Sequence, residues 1–417
     1  MQACDHNRPS PPAAGDVSAA LKNFVRWLDQ YGEVSWDHQS FFAGPIGSRA
    51  KALYYRNKAA GTVAVAPMIF CEAFVPTARR LFHRPIRLPI ADAHFAMGFA
   101  FLSEATGEAK CLERAGHFLA VLEETRCPGY AEYGWGYPFD WVTRNGVIAA
   151  GTPLITTTPY VYEAFLQVQE LQPDEHRKKI IESIVRHVRT DIKDFPRSAT
   201  ASTSSYTPHD QGGVVNASAY RAFTLVSAAR FLGDDSLREI AARNVNFVLE
   251  SQNADGSWPY AKDGVRDFVD HFHTCFVMKG LAKIYLQTGD ARIRDALARG
   301  LDYYLAHLFS EEGMPRPFSK APRLTVYKCE LYDCAECINL CLLLRQDFPQ
   351  LEKTLATVVA GILEHWIKPD GSFRSRKLIS GWDNVPMHRW AQSQMFRALA
   401  FYLREQSPQP KPAPVQP

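Results

Sequence analysis

Residues 216–258 read NASAYRAFTLVSAARFL, then GDDS, then LREIAARNVNFVLES, then QNADGSW. The first run is apolar nearly all round its helical circumference, the pattern of a helix with protein on every side. The second is amphipathic and suits a helix with one face to solvent. Only four residues separate them: Gly233 can stop one helix, and Asp or Ser at 234–236 can cap the next. So short a connection makes the two helices antiparallel neighbours. Apolar helix, tight turn, amphipathic helix and long loop form one unit.

The unit recurs from Ala91 onward. Its apolar helices are AHFAMGFAFL, YVYEAFLQV, AYRAFTLVSAARFL, FHTCFVMKGLAKIYL, DCAECINLCLLL and WAQSQMFRALAFYL, expected to start near Asp92, Pro159, Asn216, Asp267, Tyr332 and Met387. These starts are spaced by roughly 50 to 70 residues, about two helices plus loops. Tight turns recur at 105–108, 172–175, 233–236, 288–291 and 347–350. The fold class is therefore all-α, an (α/α)6 barrel of six hairpins with the apolar helices as the inner ring. The sixth apolar helix has no partner after it, so a helix around 17–30 or one around 62–82 must complete the ring. The expected domain layout is a disordered tail over 1–16, one toroid domain over 17–405 and a Pro-rich disordered tail over 406–417.

A net charge of +3 on 417 residues predicts neither nucleic-acid nor membrane-surface binding. The most apolar stretch, Thr62 to Val75, is interrupted by Pro67 and Glu72, so no membrane span or stable membrane insertion is expected. The N-terminus lacks the apolar core of a signal peptide, and nine cysteines at irregular spacing fit reduced thiols; both point to the cytoplasm.

In such a ring all long loops share one face and lead into the N-termini of the inner helices, where free N–H groups favour anionic ligands. Residues 133–141, YGWGYPFDW, set aromatics and Asp140 between glycines; Trp135, Tyr137 and Trp141 can stack on sugar faces. Thr156 to Pro159 reads as a helix cap. His209 beside Asp210 can titrate near neutrality. Asp270, His271 and His273 are the densest titratable cluster, and the two histidines converge only if a helix starts there. A zinc site would need ligands beyond this pair, and none is evident at metal spacing, so no metal or other cofactor is implied. Tyr332, Asp333 and Glu336 place two carboxylates on one helix face, the equipment of glycosidic cleavage. Cys329, Cys334, Cys337 and Cys341 superficially match an iron–sulfur spacing, but three of them form a packing stripe on an apolar helix. Finally, Trp382, Asp383, His388, Arg389 and Trp390 precede or open the last inner helix. An arginine there opposes the helix dipole, which suggests an anionic partner.

Residues 252–258, preceded by Arg243 and Phe247-Val248-Leu249, resemble the QW motif of triterpene cyclases, in which it ties helix ends together. The Asp-x-Asp-Asp catalytic motif of those enzymes is absent from this sequence. Trp-Gly-Tyr-Pro-Phe-Asp-Trp (135–141), Asp-Gly-Ser-Trp-Pro-Tyr (255–260), Asp-His-Phe-His (270–273) and Trp-Asp-Asn-Val-Pro-Met-His-Arg-Trp (382–390) resemble the VpsJ-type proteins of bacterial exopolysaccharide clusters. That resemblance implies polysaccharide biosynthesis and transfers no catalytic residue.

The leading expectation is an enzyme acting on an anionic saccharide or sugar-linked substrate by acid/base chemistry: hydrolase, lyase or epimerase. Two alternatives remain open at this point. One is a non-catalytic saccharide-binding or scaffold component working with polysaccharide-assembly proteins; the other is a metal-dependent toroid enzyme.

Overall fold

The computed structural model describes residues 12–322 and 325–407; most of both expected tails, 1–11 and 408–417, lies outside the described residues. The first helix, α1 (Ala14–Tyr31), takes in residues 14–16 that the tail was expected to hold. The chain then leaves the ring in a short excursion: α2 (Ser40–Ala43), α3 (Pro45–Arg56), α4 (Lys58–Phe74) and α5 (Arg79–Phe82). It returns as α6 (Pro89–Thr106) with α7 (Ala109–Glu124), α8 (Thr158–Leu171) with α9 (Glu175–Arg186), and α10 (Val215–Leu232) with α11 (Ser236–Glu250). The remaining hairpins are α12 (His271–Thr288) with α13 (Ala291–His307), α14 (Leu331–Leu344) with α15 (Leu351–His365), and α16 (Ser393–Gln406).

Helices α6, α8, α10, α12, α14 and α16 touch in that order, and α16 closes back on α6. Their apolar circumference is buried as the sequence pattern requires: α6 buries every residue from Pro89 to Leu102, and α10 every residue from Val215 to Ala229. At the closing seam a side chain at Gly98 would lie 2.5 Å from the Phe396 ring, so only hydrogen lets α6 and α16 approach this closely. The tight turns work as read. Gly107, Gly233 and Gly289 adopt φ of 72°, 70° and 68° at the ends of α6, α10 and α12. Asp174 and Asp290 cap α9 and α13 by accepting from Arg177 N and Arg292 N.

Helix α1 packs on α16 and α15 and completes the outer ring; the helix near 62–82 does not. Two Asp-Gly-Ser loops, 255–257 and 370–372, make this concrete. In each, the aspartate accepts from the serine N and Oγ, at 3.0 and 2.7 Å. In each, the glycine lies against the next outer helix: a side chain at Gly256 would meet Arg299 O of α13, and one at Gly371 would meet Asn23 O of α1. Gln252 fastens the first of these loops, donating to Gly256 O and Ala296 O and accepting from Arg299.

The long loops carry short antiparallel strands that no alternation in the sequence announces. They are β1 (Trp141–Thr143) with β2 (Gly146–Ile148), β3 (Asp194–Pro196) with β4 (Ser202–Ser204), and β5 (Val269–Asp270) with β6 (Phe318–Lys320). A three-stranded sheet orders β7 (Tyr327–Glu330), β8 (Arg376–Leu378) and β9 (Trp382–Asp383). Two to four residues are too few to show a period of two.

Candidate active site

The loop-bearing face of the ring gathers a circuit of half-buried rings. Trp390 stacks on His38 with centroids 3.8 Å apart, and Phe272 meets Trp390 at 5.3 Å and His273 at 4.3 Å. Tyr260 lies 4.6 Å from His273, while on the opposite side Tyr206, Trp141 and Tyr137 follow one another at 6.0 and 5.5 Å. Arg389 joins the two arcs, its guanidinium 4.8 Å from the Tyr137 ring and 5.2 Å from Trp390. The members come from six separate loops and helix starts, so this aromatic mouth is a product of the ring closing.

His273 stands in the first turn of α12. Asp270 caps that helix, accepting from His273 N at 2.9 Å, and its other oxygen lies 2.6 Å from His273 Nδ1. A carboxylate only accepts, so Nδ1 carries the hydrogen of this contact and Nε2 is the nitrogen turned to an outside partner. Nε2 has no hydrogen-bond partner among the described residues, and the side chain is 21 % exposed.

Arg389 opens α16 within a π-helical turn, His388–Gln392, a local unwinding that re-aims side chains. It holds Asp37 through Nε and Nη2 at 2.9 and 2.5 Å and donates through Nη1 to the Tyr137 hydroxyl at 3.1 Å. Burial alone would raise the Asp37 carboxyl; Arg389 and His38 overrule it and hold it well below the usual range. The same burial, with Arg389, takes His38 down to about 4, so it is neutral at physiological pH. Trp390 donates to Glu330, which Arg376 holds at 2.5 Å, and Arg376 reaches Glu72 at 2.6 Å.

Beneath the mouth, Tyr332 stacks under Trp390 at 4.3 Å and 7°. Deeper, Lys279 pairs with Glu336 and Lys283 with Glu163, while Tyr160 and Tyr220 share a hydrogen bond of 2.5 Å. Burial lowers Lys283 to about 8 against the pull of Glu163. Asp333 is fully buried, and neither of its oxygens meets a hydrogen-bond donor among the described residues. Burial, followed by Glu330, raises its carboxyl well above the usual range, so it stays protonated.

Of the residues singled out from sequence, the structure brings Tyr137, Trp141, Asp270, His273, Arg389 and Trp390 together at the mouth, with Tyr332, Asp333 and Glu336 below. The others go elsewhere. Trp135 is fully buried and donates to Leu122 O near the end of α7, just as Trp258 donates to Val248 O near the end of α11; both are hairpin pins, not sugar platforms. His271 faces the core, between Leu308 O at 3.2 Å and the Tyr304 hydroxyl at 2.8 Å. Two residues along a helix turn a side chain through about 200°, so the two histidines diverge where convergence was expected. Asp383 is sealed against Arg79 at 2.7 Å, anchoring α5 to β9. His388 bonds Gly32 O at 2.9 Å among Trp27, Tyr31 and Phe95, and burial lowers it to about 4. Trp382 lies on the rim against Trp366 and the Lys377 and Arg374 cations. Asp140 is exposed and accepts from Ala150 N in a turn; His209 is exposed and bonds Tyr130 at 3.0 Å. Arg389 already has its anion in Asp37, which removes the reason for expecting an anionic ligand there.

Sequence reasoning passed over Asp37, His38, Phe272, Tyr206 and Glu330. The signal was present: Trp36-Asp37-His38 follows α1, and once α1 is an outer helix this is one more long loop. Single charges inside apolar helices (Glu163, Lys279, Lys283, Arg397) likewise marked the inward face.

No family model matches the chain, and no curated protein matches it. Solved structures do. A cellobiose 2-epimerase from Bacillus thermoamylovorans superposes with a TM-score of 0.62 at 10% identity, over 77% of this chain and 88% of that one. A D-mannose isomerase gives 0.61 at 12% identity, over 95% and 100%. An unsaturated glucuronyl hydrolase specific for heparin gives 0.63 at 9% identity, over 94% and 96%. At these identities the likeness is one of fold, the (α/α)6 toroid.

Proposed function

We propose that this protein is a saccharide-active acid/base enzyme in which His273, oriented by Asp270, moves a proton at a sugar carbon beside a carbonyl or carboxyl group. The chemistry is that of an epimerase, an isomerase or an eliminating lyase. The observation that carries the proposal is the 2.6 Å Asp270–His273 contact inside a circuit of aromatic rings. With Nδ1 engaged by Asp270, Nε2 is the nitrogen placed to exchange a proton with a substrate. The Tyr137 hydroxyl accepts from Arg389, so its own hydrogen remains to be donated to a substrate oxygen that gains charge as the proton leaves. Trp390, Phe272 and Trp141 offer the flat faces that cover sugar C–H surface.

A two-carboxylate hydrolase fits less well. Asp270 is committed to His273, Glu336 to Lys279 and Glu330 to Arg376, while Asp333 is buried and protonated. With Arg389 taken by Asp37, an uncharged sugar ring suits the mouth as well as an acidic one. Superposable epimerase, isomerase and glucuronyl hydrolase structures support a carbohydrate substrate. The resemblance to VpsJ-type proteins supports a setting in polysaccharide biosynthesis, and that of 252–258 to the QW motif supports a helix-tying role there. Toroids that superpose over 95% and 94% of this chain support a single-domain reading.

The test is a panel of reducing disaccharides, aldoses and uronate-containing oligosaccharides, with products followed by NMR. Wild-type protein is expected to convert a member of the panel to an epimer, ketose or unsaturated product. His273→Gln is expected to bind it with similar affinity and turn it over at least about 100-fold more slowly. Equal turnover by the variant removes His273 from the mechanism.

A further inference from the structure

The charge of this chain is unevenly spread. Residues 39–88, from the start of α2 to the start of α6, hold eight lysines and arginines against a single carboxylate, Glu72, a net of +7; the rest of the chain has 39 basic and 43 acidic residues, a net of −4. The small overall value, which argued against membrane-surface binding, averages these two. Within the excursion α3 and α4 pack as a hairpin over a small core of Phe41, Ala50 and Met68, and Gly61 lets the two backbones touch at Tyr54.

The outer face of α4 is apolar. Ala59, Val63, Ala66, Pro67, Phe70 and Phe74 form a single helical stripe, all exposed, and no charged residue occurs from 59 to 71. Val63 is 75% exposed, Phe70 59% and Phe74 55%, and in α5 Leu81 reaches 87% beside the exposed Arg80 and Arg84. Arg49 and Arg56 on α3 and Arg84 form no ion pair among the described residues.

We propose that this hairpin is a peripheral docking surface for an anionic lipid bilayer. An apolar stripe flanked by unpaired cations is what an interfacial helix presents: the side chains enter the acyl boundary and the cations meet the headgroups. A second copy of the chain is the poorer occupant, since it would set the exposed Arg49, Arg56, Arg80 and Arg84 against their own kind. The helix, 17 residues and about 25 Å long, lies in the interface; among the described residues no helix is long and apolar enough to cross a membrane. The excursion abuts the mouth, with α3 against β1, Glu72 on Arg376 and Arg79 on Asp383, so docking sets the mouth beside the lipid surface.

The test is co-sedimentation of the full chain with vesicles of phosphatidylcholine alone or mixed with a minority of phosphatidylglycerol. Binding to the anionic vesicles only, weakened by salt, is expected. Charge reversal by Arg49→Glu with Arg56→Glu is expected to lower the partition about 25-fold or more, at roughly five-fold per cation. Val63→Ser with Phe70→Ser and Phe74→Ser, folded by circular dichroism, is expected to abolish it. Absence of binding to either vesicle, or binding that ignores the charge reversals, overturns the proposal. So does a concentration-dependent dimer that the serine substitutions dissociate, which would give the face to a second copy.

Discussion

Helices α6 and α4 are about equally rich in apolar residues, yet α6 buries nearly its whole circumference and α4 turns a stripe of valine and phenylalanine to solvent. What separates them is the neighbours each finds. α6 is held between α8 and α16 with α7 behind it, whereas α4 packs chiefly on α3 and a few turns of chain. Hydropathy therefore states what a helix must cover and leaves open with what. For α6 the answer is inside the chain, and for α4 the charge around it points outside.

The strongest way to break the comparison is to cut the tie between the two regions. Asp383→Ala leaves Arg79 buried without its anion and is expected to cost about 3–5 kcal/mol in urea unfolding. A much smaller loss would mean that the excursion is not locked to the ring.

The next effect is one of pH. Burial holds His388 at about 4 in the folded ring, below its ordinary value of 6.5. Its contribution is therefore fully present above about pH 6.5 and is lost as pH falls toward 4, by up to about 3 kcal/mol. Melting temperature followed from pH 7 to 4 is expected to fall steeply in the wild type and less steeply in His388→Gln. Parallel curves would place the acid sensitivity elsewhere.

The smallest contrast sharpens the difference between the helices themselves. Gly98→Val, driven against Phe396 at the seam, is expected to cost about 1–3 kcal/mol. Val63→Ser on α4 is expected to stay within about 0.5 kcal/mol, since nothing in the chain covers it.

The same distinction decides what could be read from the residues. Inner helices were legible because an all-round apolar run closed by Gly-Asp is a local signal, and the starts at Pro159, Asn216 and Tyr332 fall one residue inside the observed ones. Two starts drifted. The fourth was expected at Asp267 and comes at His271, because β5 occupies 269–270; the last opens as a π-helical turn. The site was half legible. Residue types marked the right loops, but which way each side chain faces is set by the ring. His273 reaches the mouth and His271 the core from the same four residues, and Trp135 and Trp390 differ only in what lies behind them. Asp37 and His38 escaped because their loop belongs to the ring only once α1 is known to close it.

Proton transfer by His273 is tested most directly by one exchange experiment. In deuterium oxide, with the sugar that the wild type converts, deuterium is expected to enter at the carbon that loses its proton, and His273→Gln is expected to exchange at the uncatalysed rate. Conversion by the wild type without any solvent deuterium at that carbon, or exchange undiminished in the variant, would contradict proton transfer by His273.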